Sequence, residues 1–186
     1  MFDKNGIVTI REISSLNVRI PHEIHGCSDG IYEKIFKSGI YNTLIVSPPS
    51  KGKTTILKDL IRKFDKNTEK QILVIDERGE FCTVKGRNVD IIKFCDKNYA
   101  LQYALRSMSP DVVFTDELQS ENDWACAKNA VFGGINVIAS CHGKSVGDLT
   151  GKFFFDKRVF DKYVILDENK RAGTVKKIYD GDFKEI

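Results

Sequence analysis

The stretch Thr43-Leu-Ile-Val-Ser-Pro-Pro-Ser-Lys-Gly-Lys-Thr54 decides the fold of this 186-residue chain. Its first part, Thr43–Val46, is an apolar run that ends at a turn, which is typical of a buried strand. Residues 54–64 then place apolar side chains at the spacing of an amphipathic helix. Between strand and helix, Ser47–Thr54 fits the phosphate-loop pattern at every defining position except the first, where serine replaces glycine. The order of strand, loop and helix predicts a nucleotide-binding site.

The chemistry of this loop follows from its residue types. Because Pro48 and Pro49 have no backbone N–H, the amides that cradle a phosphate must come from the residues after them. Lys53 is predicted to reach the β- and γ-phosphates, and the Thr54 hydroxyl to bind Mg²⁺. If the first position requires a positive φ, Ser47 costs about 1–2 kcal/mol, unless the prolines remove that requirement. A plain basic turn that caps a helix is the alternative. The predicted nucleotide-binding residues are Ser50, Lys51, Gly52, Lys53, Thr54 and Thr55.

Further apolar runs predict an α/β fold with a mainly parallel sheet. Continuous apolar strands suit a sheet that is covered on both faces, and alternating helices supply the crossovers. Residues 6–20 predict short strands, and the tail predicts a β-hairpin. The predicted strands are Ile72–Ile75, Val112–Thr115, Ile135–Ala139, Tyr163–Leu166 and Thr174–Tyr179, and the further helices Asp29–Lys37, Tyr99–Met108 and Glu121–Phe132.

Composition places the chain among ordinary globular proteins. Hydrophobic residues make up 41% and charged residues 30%, and the formal net charge is +3. This charge permits nucleic acid as a partner without indicating it. No apolar run approaches the roughly 20 residues that span a bilayer, and no secretory signal is present, so a cytoplasmic location is expected. The five cysteines lack a metal-binding spacing and are expected to be reduced structural thiols.

Polar residues follow three of the predicted strands. Asp76-Glu77, Asp116-Glu117 and His142 should all lie at the carboxyl edge of the sheet, where open α/β folds bind ligands. Asp116 is predicted to hold Mg²⁺ and Glu117 to activate water, and His142 to sense the γ-phosphate. The alternatives are that the acidic pairs cap helices and that His142 is a surface residue.

Together these segments resemble the stage III sporulation protein AA family, a relative of type II and type IV secretion ATPases. The resemblance covers about residues 7–180. It is carried by Pro48–Asp59, Val74-Ile-Asp-Glu-Arg78, Leu105–Val113, Asp116-Glu117 and Ile138-Ala-Ser-Cys-His-Gly143. The family usually has glycine where Ser47 stands, and it carries a longer N-terminal domain.

The resemblance implies a three-layer RecA-like P-loop NTPase that uses ATP and Mg²⁺ and forms a hexamer. It assigns Asp76-Glu77-Arg78 to an acidic box beside the nucleotide, Asp116-Glu117 to the Walker B pair and His142 to a histidine box. Glu117, Lys53, Glu77 and His142 are therefore the expected catalytic residues. Residues 1–40 form a lead-in, and residues 41–186 the ATPase core with its C-terminal hairpin.

The leading hypothesis is a motor ATPase that energises a secretion-like channel between mother cell and forespore. Its partners would be membrane-embedded sporulation channel proteins, and its location cytoplasmic, at that membrane complex. One alternative is a nucleic-acid-stimulated ATPase, since the tail interleaves basic and aromatic residues. Another is a nucleotide-gated interaction protein with little turnover. An arginine from a neighbouring subunit can complete such a site; the candidates, each equally a surface ion pair, are Arg19, Arg78, Arg87 and Arg106.

Overall fold

A seven-stranded sheet with helices on both faces forms the framework of the protein. The computed structural model describes residues 2–3, 6–7, 12–15 and 23–186. Over these residues the strands are β1 (Phe2–Asp3), β2 (Gly6–Ile7), β3 (Thr43–Val46), β4 (Ile72–Asp76), β5 (Val89–Lys93), β6 (Val112–Glu117), β7 (Asn136–Cys141), β8 (Lys162–Leu166) and β9 (Val175–Asp180). β1 and β2 form a separate antiparallel pair.

The large sheet has the strand order β5-β4-β6-β7-β3-β8-β9. Every neighbouring pair is parallel except β8 and β9, which form an antiparallel hairpin. The phosphate-loop strand β3 lies between β7 and β8. The carboxyl ends of β3, β4, β6 and β7 consequently face the same edge of the sheet.

Three of the helices begin where a polar side chain satisfies one of their first amides. Asp96 accepts a hydrogen bond from the Tyr99 amide, and Ser120 and Asp123 form a reciprocal capping box. Ser145 accepts from the Asp148 amide at the start of a short helix. The helices are α1 (Asp29–Ile31), continued by a π-helical turn (Tyr32–Phe36), α2 (Lys53–Asn67), α3 (Lys97–Ser107), α4 (Glu121–Phe132) and α5 (Val146–Thr150).

Side chains alternate between two apolar clusters, one on each face of the sheet. Ile72 and Val74 pack with α2, whereas Leu73 and Ile75 of the same strand pack with α3 and α4. All five residues of β4 are buried, which explains why the strand has a continuous apolar run rather than an alternating one. The burial of both faces of β4 therefore accounts for its sequence pattern.

The segment before β3 is fixed to α2 by one buried carboxylate. Asp59 accepts hydrogen bonds from the Gly26 amide at 3.1 Å, the Ser28 amide at 2.9 Å and the Ser28 hydroxyl at 2.6 Å. Burial opposes ionisation, but these hydrogen bonds and the nearby Lys63 outweigh it and lower the pKa of Asp59. Ile31, Ile35 and Phe36 then pack into the cluster around α2.

The α/β fold, the parallel sheet and the C-terminal hairpin are confirmed, but three elements are not predicted from sequence. One is the two-residue strand β1. β5 is a half-buried edge strand that contains Asp90 and Lys93, so it lacks an apolar run. Helix α5 has five residues, too few for a periodic pattern. Of the strands expected in residues 6–20, Gly6–Ile7 forms β2, while Val18 and Ile20 lie outside the described residues.

The cysteines agree only partly with the expectation of buried thiols. All five are free; Cys126 and Cys141 are buried, Cys27 and Cys95 are half-buried, and Cys82 is exposed. Burial raises the pKa of Cys141 to about 12. No helix in the described part of the chain is long and apolar enough to cross a membrane.

Candidate nucleotide-binding site

The phosphate loop places the start of α2 against the C-terminal hairpin. Gly52 precedes the helix with φ +88°, so it supplies no side-chain cap and leaves the first amides to an external partner. The Gly173 amide in the β8–β9 turn donates a 2.9 Å hydrogen bond to the Lys51 carbonyl. A Cβ atom on Gly52 would lie 2.9 Å from that Gly173 nitrogen. Glycine is therefore required here by both backbone conformation and space.

Serine in the first loop position causes no backbone strain. Ser47 is fully buried, its φ is not positive, and its hydroxyl donates to the Pro48 carbonyl at 2.9 Å. The left-handed non-glycine residue of the loop is Ser50, with φ 60°. The 1–2 kcal/mol cost considered for Ser47 thus does not arise.

Lys53 lies almost buried at the centre of the site. Its ammonium donates to the Ser47 carbonyl at 3.0 Å and the Pro48 carbonyl at 3.1 Å, and it lies 3.0 Å from His142 Nδ1. Burial lowers the pKa of Lys53, and the nearby carboxylates of Glu117 and Glu80 oppose that effect. A bound phosphate would replace these neutral acceptors by a charged one.

His142 connects Lys53 to Glu117. Its Nδ1 lies 3.0 Å from the Lys53 ammonium and 3.3 Å from the Ser47 carbonyl. Nε2 contacts Glu117 Oε1. The other carboxylate oxygen, Glu117 Oε2, contacts the side-chain amide of Gln119 and, at 3.2 Å, the Arg78 guanidinium. The structure thus joins three predicted residues, Lys53, His142 and Glu117, in one chain of contacts.

Glu80 is a site residue that the sequence did not reveal. Its carboxylate accepts a 3.0 Å hydrogen bond from the Thr54 hydroxyl, the group expected to bind Mg²⁺. Asp76 shapes the turn that carries it, since its two oxygens accept from the Glu80 amide at 2.8 Å and the Phe81 amide at 2.9 Å. The run Asp76-Glu-Arg-Gly-Glu80 contains three acidic residues, and only the folded turn shows which one reaches Thr54.

Asp116 and Glu77 meet at a different group, the buried Lys97. The Lys97 ammonium lies 2.6 Å from Glu77 Oε2 and 3.1 Å from Asp116 Oδ1. Burial alone would lower the pKa of Lys97, but Asp116 and Glu77 outweigh it and raise that pKa. Glu77 Oε1 also accepts from the Lys97 amide. Both Glu77 oxygens are therefore engaged by Lys97 rather than by the phosphate loop.

The four candidate arginines are placed very differently. Arg78 contacts Glu117, with its side chain half-exposed. Arg87 precedes β5 at the amino-terminal edge of the sheet. Arg106 lies in the last turn of α3, at the opposite end of that helix from Lys97, which contacts the site. Arg19 lies outside the described residues. Within this chain, Arg78 is thus the candidate that the structure brings to the site.

Two further observations concern the binding of nucleic acid and of metal. In the basic tail, Phe160 and Tyr163 are buried and pack around Trp124 and Phe183, so neither can stack on a base. Phe153 is 95% exposed. Among the described residues, no group of three or more His, Cys, Asp and Glu side chains forms a metal-binding cluster.

Comparison with known sequences shows which family the chain resembles. Residues 1–185 match the family model described as Sporulation stage III, protein AA. Stage III sporulation protein AA of Bacillus subtilis strain 168 is 34% identical over 197 residues, covering 97% of this chain and 64% of that protein. The chain thus spans less than two thirds of this relative. Uncharacterized protein ycf45 of Cyanidium caldarium is 24% identical over 146 residues, covering 74% of this chain and 43% of that protein.

Solved structures share the fold at low sequence identity. The pilus retraction motor PilT with bound ADP superposes with a TM-score of 0.61 at 18% identity, covering 82% of this chain and 50% of that one. The VirB11 ATPase of the Brucella suis type IV secretion system, in complex with sulphate, gives 0.60 at 16% identity, covering 75% and 48%. The chain therefore shares the mainly parallel α/β fold of these two proteins.

Proposed function

Because this chain belongs to the sporulation stage III protein AA family, we propose that it is an ATP-hydrolysing motor core. It would act in the cytoplasm at a membrane complex and energise a secretion-like channel between mother cell and forespore. One observation carries the enzymatic part of the proposal: Lys53, His142 and Glu117 form a continuous chain of contacts beside the uncapped start of α2. One imidazole thereby links the lysine that would bind phosphate to the glutamate that would activate water.

Each residue has a distinct role in the proposed hydrolysis. The amides of Ser50 to Thr55 and the Lys53 ammonium bind the phosphates of ATP. Water attacks the γ-phosphorus, the bond from that phosphorus to the bridging oxygen of ADP breaks, and Glu117 accepts the proton of the water. His142 keeps Glu117 oriented through Nε2. When phosphate draws Lys53 away, His142 loses its contact with that ammonium, which links phosphate binding to the position of Glu117.

The residues present also fit Mg²⁺. A protein typically holds this ion with one or two carboxylates together with the phosphates of the substrate. The Thr54 hydroxyl and Asp116 would hold it, with Glu80 beside Thr54. When bound, the ion neutralises phosphate charge.

The direct test measures release of inorganic phosphate from ATP by purified protein with Mg²⁺. We expect Lys53→Ala and Glu117→Gln to abolish turnover. Lys70→Ala and Glu69→Gln are matched controls, since both residues are exposed and lie just before β4, at the edge of the sheet opposite the loop, and they should leave the rate unchanged. Hydrolysis that persists in both site variants would refute the proposal.

The proposed active form is a homo-oligomer, with a hexamer as the expected size. Arg78 is half-exposed and contacts Glu117, so it stands at the boundary between the site and any neighbouring subunit. An arginine supplied by a neighbour can raise the rate about 10³–10⁵-fold. Specific activity should therefore rise with protein concentration, in step with the mass measured by light scattering. A constant specific activity across an assembly transition would contradict catalysis between subunits.

A second candidate function is supported by the contacts of Glu117. Both its oxygens are engaged, by His142 on one side and by Arg78 and Gln119 on the other. A protein that binds ATP without freeing Glu117 would be a nucleotide-gated interaction protein. ATP at about 100 times its Kd should stabilise either protein by about 2.7 kcal/mol. Thermal stabilisation by ATP without phosphate release would favour this second function.

A further inference from the structure

Lys97 is a buried charged residue for which the proposed hydrolysis has no role. Its side chain is 6% exposed, although lysine is rarely buried unless it is paired. It begins α3, and its ammonium points back towards the ends of β4 and β6. A mere packing function would be served by an apolar side chain of similar length, because buried ion pairs are a weak source of stability.

The Lys97 ammonium is held by three oxygens. It donates hydrogen bonds to Glu77 Oε2 at 2.6 Å and to the Glu117 carbonyl at 2.7 Å, and it forms an ion pair with Asp116 Oδ1 at 3.1 Å. Its backbone amide donates in addition to Glu77 Oε1 at 3.2 Å. One side chain thereby connects the end of β4, both members of the Walker B pair and the first turn of α3.

These contacts hold the Walker B pair in place without involving the Glu117 carboxylate. Lys97 binds Glu117 through its main-chain carbonyl, so the Glu117 carboxylate stays with His142. On Asp116 the ion pair uses Oδ1. Glu77 binds Lys97 twice and so holds it in place.

We propose that Lys97 is the positioning residue of the Walker B pair, and that Glu77 serves as its counter-ion. This inference rests on the proposed function, since it assigns how that site orients the carboxylate that would meet Mg²⁺. It also gives Glu77 an indirect role: the residue acts on the nucleotide through Lys97 and Asp116. Removal of a group that orients a metal ligand typically weakens metal affinity or activity about 10–100-fold.

The test compares binding of a fluorescent ATP analogue with Mg²⁺ and with a chelator. Lys97→Met keeps the length of the side chain and removes its charge. We expect the Kd measured with Mg²⁺ to weaken about 10–100-fold, and the Kd measured without Mg²⁺ to stay nearly unchanged. A merely structural role would move both constants together. Lys70→Met is the matched control, because Lys70 forms an exposed ion pair with Asp111, and it should change neither constant.

Two further variants decide the question where Lys97→Met does not fold, as judged by circular dichroism. Lys97→Arg keeps the charge and should retain the Mg²⁺ dependence, whereas Glu77→Gln loosens Lys97 and should reduce it. Equal Mg²⁺ dependence in all folded variants overturns the role of Lys97 while leaving the proposed ATPase intact. Absence of nucleotide binding in the unaltered protein overturns both proposals.

Discussion

Replacing Gly52 by alanine should destabilise the protein through two separable effects. The first is conformational: Gly52 has φ +88°, and an L-residue there costs about 1–2 kcal/mol. The second is steric: the added Cβ would lie 2.9 Å from the Gly173 nitrogen, a backbone atom that must move. That movement breaks the Gly173–Lys51 hydrogen bond, worth about 0.5–1.5 kcal/mol. The expected total is about 1.5–3.5 kcal/mol.

The assay is thermal unfolding followed by circular dichroism. For a chain of this size, each kcal/mol shifts Tm by about 2–4 °C, so Gly52→Ala should lower Tm by about 3–14 °C. Gly134→Ala is a matched control, because Gly134 has φ +87° but no atom within 4 Å of an added Cβ. It isolates the conformational effect and should cost about 1–2 kcal/mol. Nucleotide binding should weaken in Gly52→Ala alone.

Two results would contradict this reasoning. Equal Tm losses in Gly52→Ala and Gly134→Ala would show that the hairpin does not press against the phosphate loop. No loss in either variant would refute the cost assigned to a positive φ.

The remaining predictions concern the core and the buried carboxylates. The interactions that lower the pKa of Asp59 stabilise the fold above the pKa of an unfolded aspartate, about pH 4, and this stabilisation is lost as pH falls from there through the lowered pKa of the folded state. The difference in stability between wild type and Asp59→Asn should therefore shrink in acid. Urea unfolding across pH measures this difference, and a constant difference would contradict the prediction. Phe64→Ala should cost about 3–5 kcal/mol, since the ring contacts three others, whereas exposed Phe153→Ala should cost under about 0.5 kcal/mol. Asp76→Asn should cost about 1–3 kcal/mol in urea unfolding, because the turn that carries Glu80 loses a charged acceptor.

The sequence by itself determined the fold class and the positions of the polar residues that follow the strands at the site. Strands buried on both faces must be apolar throughout, so β3, β4, β6, β7 and β8 are visible as runs. The phosphate loop is equally visible, because its glycine, lysine and threonine stand at the spacing typical of loops that bind phosphate and Mg²⁺. These features depend on local spacing, which the linear chain contains in full.

Only the tertiary structure decided which of the acidic residues reach the loop. Glu77 and Glu80 are three residues apart in one turn, yet the first binds Lys97 and the second binds the Thr54 hydroxyl. Lys97 and the hairpin glycine Gly173 meet the site from sequence positions far from the loop, and no local pattern marks them. The physical reason is that side-chain pairing depends on the direction of each strand end and turn, which is set by packing across the whole sheet.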